Sequence, residues 1–350
     1  MSSQTKIKEE EEIISKKEDS NKEEAPLSLG FKILIVLTIA GTIALFCTAL
    51  NFVNNLKTLN PDYEFVSVYD FLKMLLILGI IIILKSLVES VVFRYTEQIM
   101  SKKYFAPGLE HEVTKVKVKI SCIVFKLIYY SSLTILGYKA LSPLEYFPKE
   151  LGGSGYMAKM FEKKFPDAFF HTKTPLFDLH YLICLSYSFV DLIWLILIDT
   201  RQLDFFVMLF HHICTSSLII FSFVTQYSNV GSIVLFLHNT SDVVVYSSRL
   251  ILYTNTFDVM KQVASVALLS AFLYMRMFVL GKVIYTIYAY TTWEWGVITF
   301  TLWSFLIFLY LMHLYWTLII LKRFYDAVFK GEFNDSGKFI KDKDGNKKKK

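Results

Sequence analysis

Residues 204–252 read DFFVMLFHHICTSSLIIFSFVTQYSNVGSIVLFLHNTSDVVVYSSRLIL. Two apolar runs, 204–226 and 230–252, meet at a short polar break ending at Asn229. Each is long enough to cross a bilayer core, which takes about 20 mostly apolar residues. The stretch is therefore a membrane hairpin, and it carries His211, His212, His238, Asn239 and Asp242 inside it. A helix rises about 1.5 Å per residue, so position converts to depth. Counted from Asp204, the paired histidines lie about 11 Å inside. Counted through a core of about 30 Å from the other end, Asp242 lies about 12 Å from the same face. Ionisable groups at such depth are costly and mark function by default.

Six more runs of this kind lie outward of the hairpin, at 31–53, 69–92, 119–141, 178–199, 262–287 and 297–321. The runs at 119–141, 230–252 and 262–287 carry polar residues and are the less apolar ones. Composition agrees: 54% of residues are apolar and 16% aromatic, with a mean hydropathy of +0.44. Soluble domains average about 45–50% apolar. A soluble enzyme, a disordered regulator and a collagen-like fibre are excluded. The expected fold class is all-α, a polytopic membrane bundle of about eight helices around a central cavity. Residues 1–30 read as a disordered arm, 31–114 as two helices and a basic loop, 115–332 as the main domain and 333–350 as a basic tail. With the N-terminus cytosolic, 22 Lys and Arg fall on the cytosolic side and six on the other. The positive-inside rule then places both termini in the cytosol. The closing Lys347 to Lys350 fits a dilysine retrieval signal of the endoplasmic reticulum.

The same depth arithmetic puts Lys126, Asp191 and His313 about 10–13 Å from the cytosolic face. His238 lies a turn deeper and shares a helix face with Asp242, four residues on. One layer thus gathers polar groups from five helices. Lys126 also reads as a side chain snorkelling to the surface, and His313 as an interface histidine. The chemistry is bounded. There is no HExxH helix, phosphate-binding loop, GxGxxG or GxSxG elbow. Adjacent His211 and His212 point about 100° apart, a poor joint metal site. Cys47, Cys122, Cys184 and Cys214 show no CxxC spacing, so neither a disulfide nor a zinc site is expected. What remains is an imidazole ordered by a carboxylate, fit for general-base or nucleophilic catalysis.

At these residues the chain resembles a ceramide synthase of the TRAM–LAG1–CLN8 (TLC) superfamily. His211-His212-Ile213-Cys214-Thr215, Phe221-Ser222-Phe223, Gly231 and Leu237-His238-Asn239-Thr240-Ser241-Asp242 are similar to the family's Lag motif. Asp199 to Phe205 looks like the turn before that helix, and His313, Trp316 and Leu318 to Lys322 like the last helix and its exit. Lys119 to Tyr130 matches the opening motif in outline. The chain departs from the pattern at several positions. Asn239 stands where the family has Asp, and Tyr246 and Arg249 where it has Glu and Lys. Cys122, Phe125 and Lys126 replace a Glu, a Trp and an Arg, and Asn229 replaces an Arg.

The resemblance covers about residues 115–332 and implies a TLC domain. It also implies N-acylation of a sphingoid base by a fatty acyl-CoA, a substrate and not a cofactor, in the endoplasmic reticulum membrane. His211, His212, His238 and Asp242 are then the catalytic candidates. Lys126, Tyr130, Arg201, Asn239, Arg249, Arg276 and His313 are the substrate-binding ones. No metal and no nucleic acid is expected; membrane lipid is the medium, and a homo- or heterodimer is compatible with the family. The alternative is a non-catalytic TLC protein that binds or senses lipid or assists the translocon. A channel is disfavoured by the lack of inverted repeats and Gly/Pro-broken helices.

Overall fold

The computed structural model describes residues 65–100, 110–162, 174–197, 205–225, 227–254, 256–291 and 296–330, with scattered positions between 40 and 58. Residues 1–47 form a unit of their own, in which Ala40, Ala44 and Cys47 are helical. The second unit, residues 48–350, holds the bundle.

Among the described residues the bundle has seven helices. These are α1 (Val68–Ile99), α2 (Glu110–Leu141), α3 (Pro175–Leu197), α4 (Phe205–Val224), α5 (Ser228–Tyr253), α6 (Asp258–Tyr290) and α7 (Gly296–Lys330). Asp70 starts α1 by accepting the Ser67 N–H at 3.0 Å, half of a capping box. The helices run past the expected apolar limits: α1 and α2 each have 32 residues. That is about 48 Å, well beyond a core of about 30 Å. The end of α1 and the start of α2 are tied by the Lys117 Nζ to Glu97 Oε1 bridge at 2.7 Å.

Six of the seven are long and apolar enough to span a membrane by length and composition. Of the eight expected, the 31–53 run lies largely outside the described residues. The other shortfall is α5, which has the length but not the apolarity, because His238, Asn239, Asp242 and Arg249 lie along it. Its neighbours compensate. Helix α5 packs against α2, α4 and α6, while α1 lies against α2 and α3, and α7 against α4 and α6. Accordingly α1 keeps a broad exposed apolar face, including Leu72, Leu76, Ile80, Ile83 and Leu87.

Helix α6 widens to π geometry over Phe272–Val279. Such widenings recur at functional sites. The loop after α2 is folded onto the bundle end. It has 3-10 turns at Lys149–Leu151 and Met157–Phe161, and Gly152 turns with φ +87°, a conformation L side chains avoid. Phe147 is fully buried against Phe236, and Tyr146 donates to Asn229 Oδ1 at 3.2 Å. Glu150 pairs with Lys282 of α6, whose ammonium holds its carboxyl below the usual value.

Candidate active site

Five helices bring polar side chains to one level. Tyr130 (α2), Asp191 (α3), His211 and His212 (α4), Asp242 (α5) and Arg276 (α6) stand in a wall common to two pockets. The pocket on the side of Phe161 has about 1110 Å³ of empty space and is lined mainly by apolar groups such as Leu218, Val234, Leu302 and Leu306. The pocket on the other side has about 1530 Å³ and is lined by Lys126, Arg249 and Arg323 together with Tyr246, Trp316 and Asp326.

Local hydrogen bonding explains why these side chains are free to face the pockets. On α4, the Thr215 hydroxyl bonds back to the His211 carbonyl at 2.9 Å. On α5, Thr240 and Ser241 bond back to Phe236 and His238 carbonyls at 2.8 and 2.9 Å. Short polar side chains in a helix interior are satisfied this way without outside partners. His238 and Asp242, four residues apart, are left to face neighbouring helices.

Asp242 faces α6. Arg276 donates through Nη2 to its carboxylate and through Nε to Ser241 Oγ at 2.8 Å, with the guanidinium 5.2 Å from the Phe272 ring centroid. The expectation of Asp242 beside an imidazole is thus not the arrangement observed: its partner is the Arg276 cation. His238 instead faces α7. Its Nδ1 lies 2.7 Å from the Val234 carbonyl and its Nε2 lies 2.8 Å from His313 Nε2. A carbonyl has no proton to give, so His238 Nδ1 is the donor. In the neutral ring Nε2 is then the acceptor, and His313 donates to it from Nε2. This fixes both tautomers and leaves His313 Nδ1 as a bare acceptor. Among the described residues, Nδ1 of His211 and Nδ1 of His313 are buried without a hydrogen bond. The His211 ring lies 5.9 Å from His313 and 5.0 Å from Trp316, centroid to centroid.

A second ion pair borders the same wall. Lys126 Nζ lies 3.0 Å from Asp191 Oδ2, so Lys126 turns inward and does not snorkel. Its ammonium is 5.5 Å from the Tyr246 ring, which stacks on Tyr130 at 5.5 Å and 5°. Asn239 lines the apolar pocket and donates from Nδ2 to Cys184 Sγ at 3.5 Å. His313, expected at the substrate, is fully buried against His238 and lines neither pocket. Arg201 lies outside the described residues. Among the described residues no three His, Cys, Asp or Glu side chains come together as a metal-ligand set.

Sequence reasoning did not single out Cys184 or Arg323, nor Tyr246 as a lining residue of the cation-bordered pocket. A signal existed for two of them. Tyr246 follows Asp242 by four residues and Cys184 precedes Asp191 by seven, both helical repeats of one face. Also unforeseen is Lys85 of α1. It is 1% exposed, paired with Glu89, and 5.3 and 4.9 Å from the rings of Phe125 and Trp194.

A family model described as the TLC domain matches residues 119–322, which is α2 from its third turn through most of α7. Similar proteins include Ceramide synthase 1 LOH3 of Arabidopsis thaliana, 26% identical over 243 residues, covering 68% of this chain and 73% of the relative. ASC1-like protein 3 of Oryza sativa subsp. japonica is 30% identical over 147 residues, 42% of this chain and 48% of its own. Human Ceramide synthase 1 is 47% identical over 55 residues, 16% of either chain.

Proposed function

The chain belongs to the TLC-domain family, and on that footing we propose that it is an acyl-CoA-dependent N-acyltransferase making ceramide from a sphingoid base in the endoplasmic reticulum membrane. The observation that carries this is the shared wall. His211, His212, Asp191, Asp242 and Arg276 stand between an apolar pocket suited to a fatty chain and a pocket bordered by Lys126, Arg249 and Arg323. A thioester lying across that wall has its chain on one side and its phosphates near cations on the other. The similarity to proteins named ceramide synthases supports the substrate class.

In the reaction the amine nitrogen bonds to the thioester carbonyl carbon, the C–S bond breaks and CoA leaves as the thiol. The proton lost by the amine goes to His211 or His212 and from that ring to the departing sulfur, which completes the thiol. One of these rings acts either as a base toward the amine or as the nucleophile, through an acyl-imidazole. Arg276, anchored on Ser241 and Asp242, holds positive charge beside the pocket wall, where the thioester oxygen gains negative charge. His238 and His313 form a supporting pair beneath. With eight spans, the run at 31–53 included, both termini are cytosolic, and the pocket bearing Arg249 and Arg323 faces the cytosol, where acyl-CoA resides.

The test is direct. Purified protein incubated with sphinganine and acyl-CoAs should yield ceramide by mass spectrometry. Absence of ceramide with every acyl-CoA, together with saturable binding of lipid, would instead support the non-catalytic lipid-binding alternative. Asn239 in place of the family's carboxylate is the feature that keeps that alternative alive.

A further inference from the structure

Resting on the acyl-transfer reading above, we infer that the apolar pocket measures the acyl chain and that this protein prefers acyl-CoAs of about 14–18 carbons to those of about 22 or more. Five helices give the pocket the same depth. Its wall runs from Asp191 to Tyr181 on α3, His211 to Ser222 on α4, and Asp242 to Val230 on α5. It continues from Arg276 to Ile287 on α6 and from Leu309 to Thr299 on α7. Each stretch advances ten to twelve steps from residue to residue, or about 15–18 Å at 1.5 Å per step. An extended chain advances about 1.2 Å per bond, a third of the advance of one extended residue. About 12–15 bonds therefore fit below the polar wall. The carbonyl carbon and the first methylenes, level with the histidines, bring the total to about 14–18.

The floor is braced. The hydroxyls of Tyr181 and Ser222 are hydrogen-bonded, which joins α3 to α4. Those of Tyr227 and Thr299 join the hairpin turn to α7. Gly231 leaves its side-chain space to the Tyr181 hydroxyl, so that contact has no slack. Trp303 is fixed by donating from Nε1 to the Ile284 carbonyl at 3.3 Å. Phe161, from the 3-10 turn, and Tyr227, from the hairpin turn, are the wall residues that no bundle helix contributes. A chain of about 24 carbons overshoots this floor by roughly 8 Å and must part those pairs or displace Phe161.

The experiment measures kcat/KM of the full-length protein with sphinganine and saturated acyl-CoAs of even length from about eight to 26 carbons. The expected profile peaks between about 14 and 18 and is at least about tenfold lower at 24, since the methylenes that overshoot the floor are left unburied. Phe161→Ala should move the upper edge up by about two to four carbons, and Val230→Phe should move it down by a similar amount. A flat profile, or a peak at 22 or more, overturns the ruler while leaving acyl transfer standing. No ceramide at any length takes down the acyl-transfer reading and the ruler with it.

Discussion

Two buried ion pairs in this bundle look alike by burial and differ in surroundings. Arg276 and Asp242 have a pocket on either side of them. Lys85 and Glu89 line neither pocket; Lys85 is closed in by the rings of Phe125 and Trp194. Buried charge in a membrane helix is a functional hypothesis by default. The comparison teaches that burial alone does not separate a working pair from one that fixes a helix. Access does. The histidines repeat the contrast. His211 and His212 line both pockets, whereas fully buried His180 lines neither, and its ring packs against Gly137 and Cys184.

The largest expected effect is on the accessible histidines. His211→Ala or His212→Ala should lower ceramide formation by about 10²–10⁴-fold at unchanged membrane insertion, the loss typical of a general base or more. His180→Ala should cost thermal stability but leave turnover per folded molecule within about threefold, because it reaches no pocket. Equal losses at His180 and His211 would erase the distinction between accessible and sealed polar groups.

Next come the ion pairs themselves. Removing one partner of a buried pair costs about 3–5 kcal/mol, while replacing both with apolar groups is often neutral. Asp242→Asn and Lys85→Met should each lower the melting temperature. The double replacements separate them. Lys85→Met with Glu89→Leu should restore both stability and activity. Arg276→Met with Asp242→Leu should restore stability only, with activity down at least about 100-fold if the cation steadies the thioester oxygen. Melting curves in detergent and acyl-transfer rates on the same samples give both readouts.

Much of this was legible in the sequence because helical rise converts position to depth without any knowledge of packing. Depth places Lys126, Asp191, His211, His212, Asp242 and His313 in one layer; all but His313 line the cation-bordered pocket, and Asp191, His211, His212 and Asp242 line the apolar one as well. Rotation about the helix axis is what sequence does not give. Asp242 turned to α6 and His238 to α7, so the carboxylate found Arg276 and the imidazole found His313. The π segment carries no proline or other punctuation to announce it. Lys85 and Glu89 were readable as an i, i+4 pair, yet the strongly apolar run around them masked the signal. The surplus turns of α1 and α2 escaped because hydropathy marks the membrane's edge, not the helix's end.

A smaller effect is expected at Asn239, on the apolar side of the wall. Its amide donates to Cys184 Sγ. Aspartate there has no proton to give, but a thiol can donate in return, so the contact can survive with its direction reversed. Asn239→Asp should leave activity unchanged or raise it by no more than about tenfold. The same change in a Cys184→Ala background lacks the returning donor and should lose stability by about 1–3 kcal/mol. Restoration of ceramide formation by Asn239→Asp in an otherwise inactive protein would show instead that the natural chain had given up catalysis.

The smallest effect belongs to a third ion pair, outside the membrane-spanning helices' interior. Glu150 of the loop and Lys282 of α6 have side chains 24% and 45% exposed. The lysine's hydrogen bond lowers the Glu150 pKa from its ordinary 4.5, against an opposing effect of burial. A carboxylate depressed in the folded state stabilises it above the unfolded value and loses that contribution as pH falls through the folded value. The pair's stabilisation is therefore full at neutral pH, starts to fade near pH 4.5 and is gone in stronger acid. An exposed pair contributes about 0–1 kcal/mol, and solvent around Lys282 puts this one at the low end. The Tyr274 hydroxyl, which donates to the Glu150 carbonyl at 3.0 Å, keeps the loop docked when the carboxyl is neutral. Amide exchange across residues 145–160 should rise by no more than about fivefold between pH 6 and pH 3.5, after correction for the intrinsic rate. In Glu150→Gln that rise should vanish. A loop that undocks entirely in acid would mean that this exposed pair carries as much of the fold as the sealed pair in α1, and the ordering by access would fail.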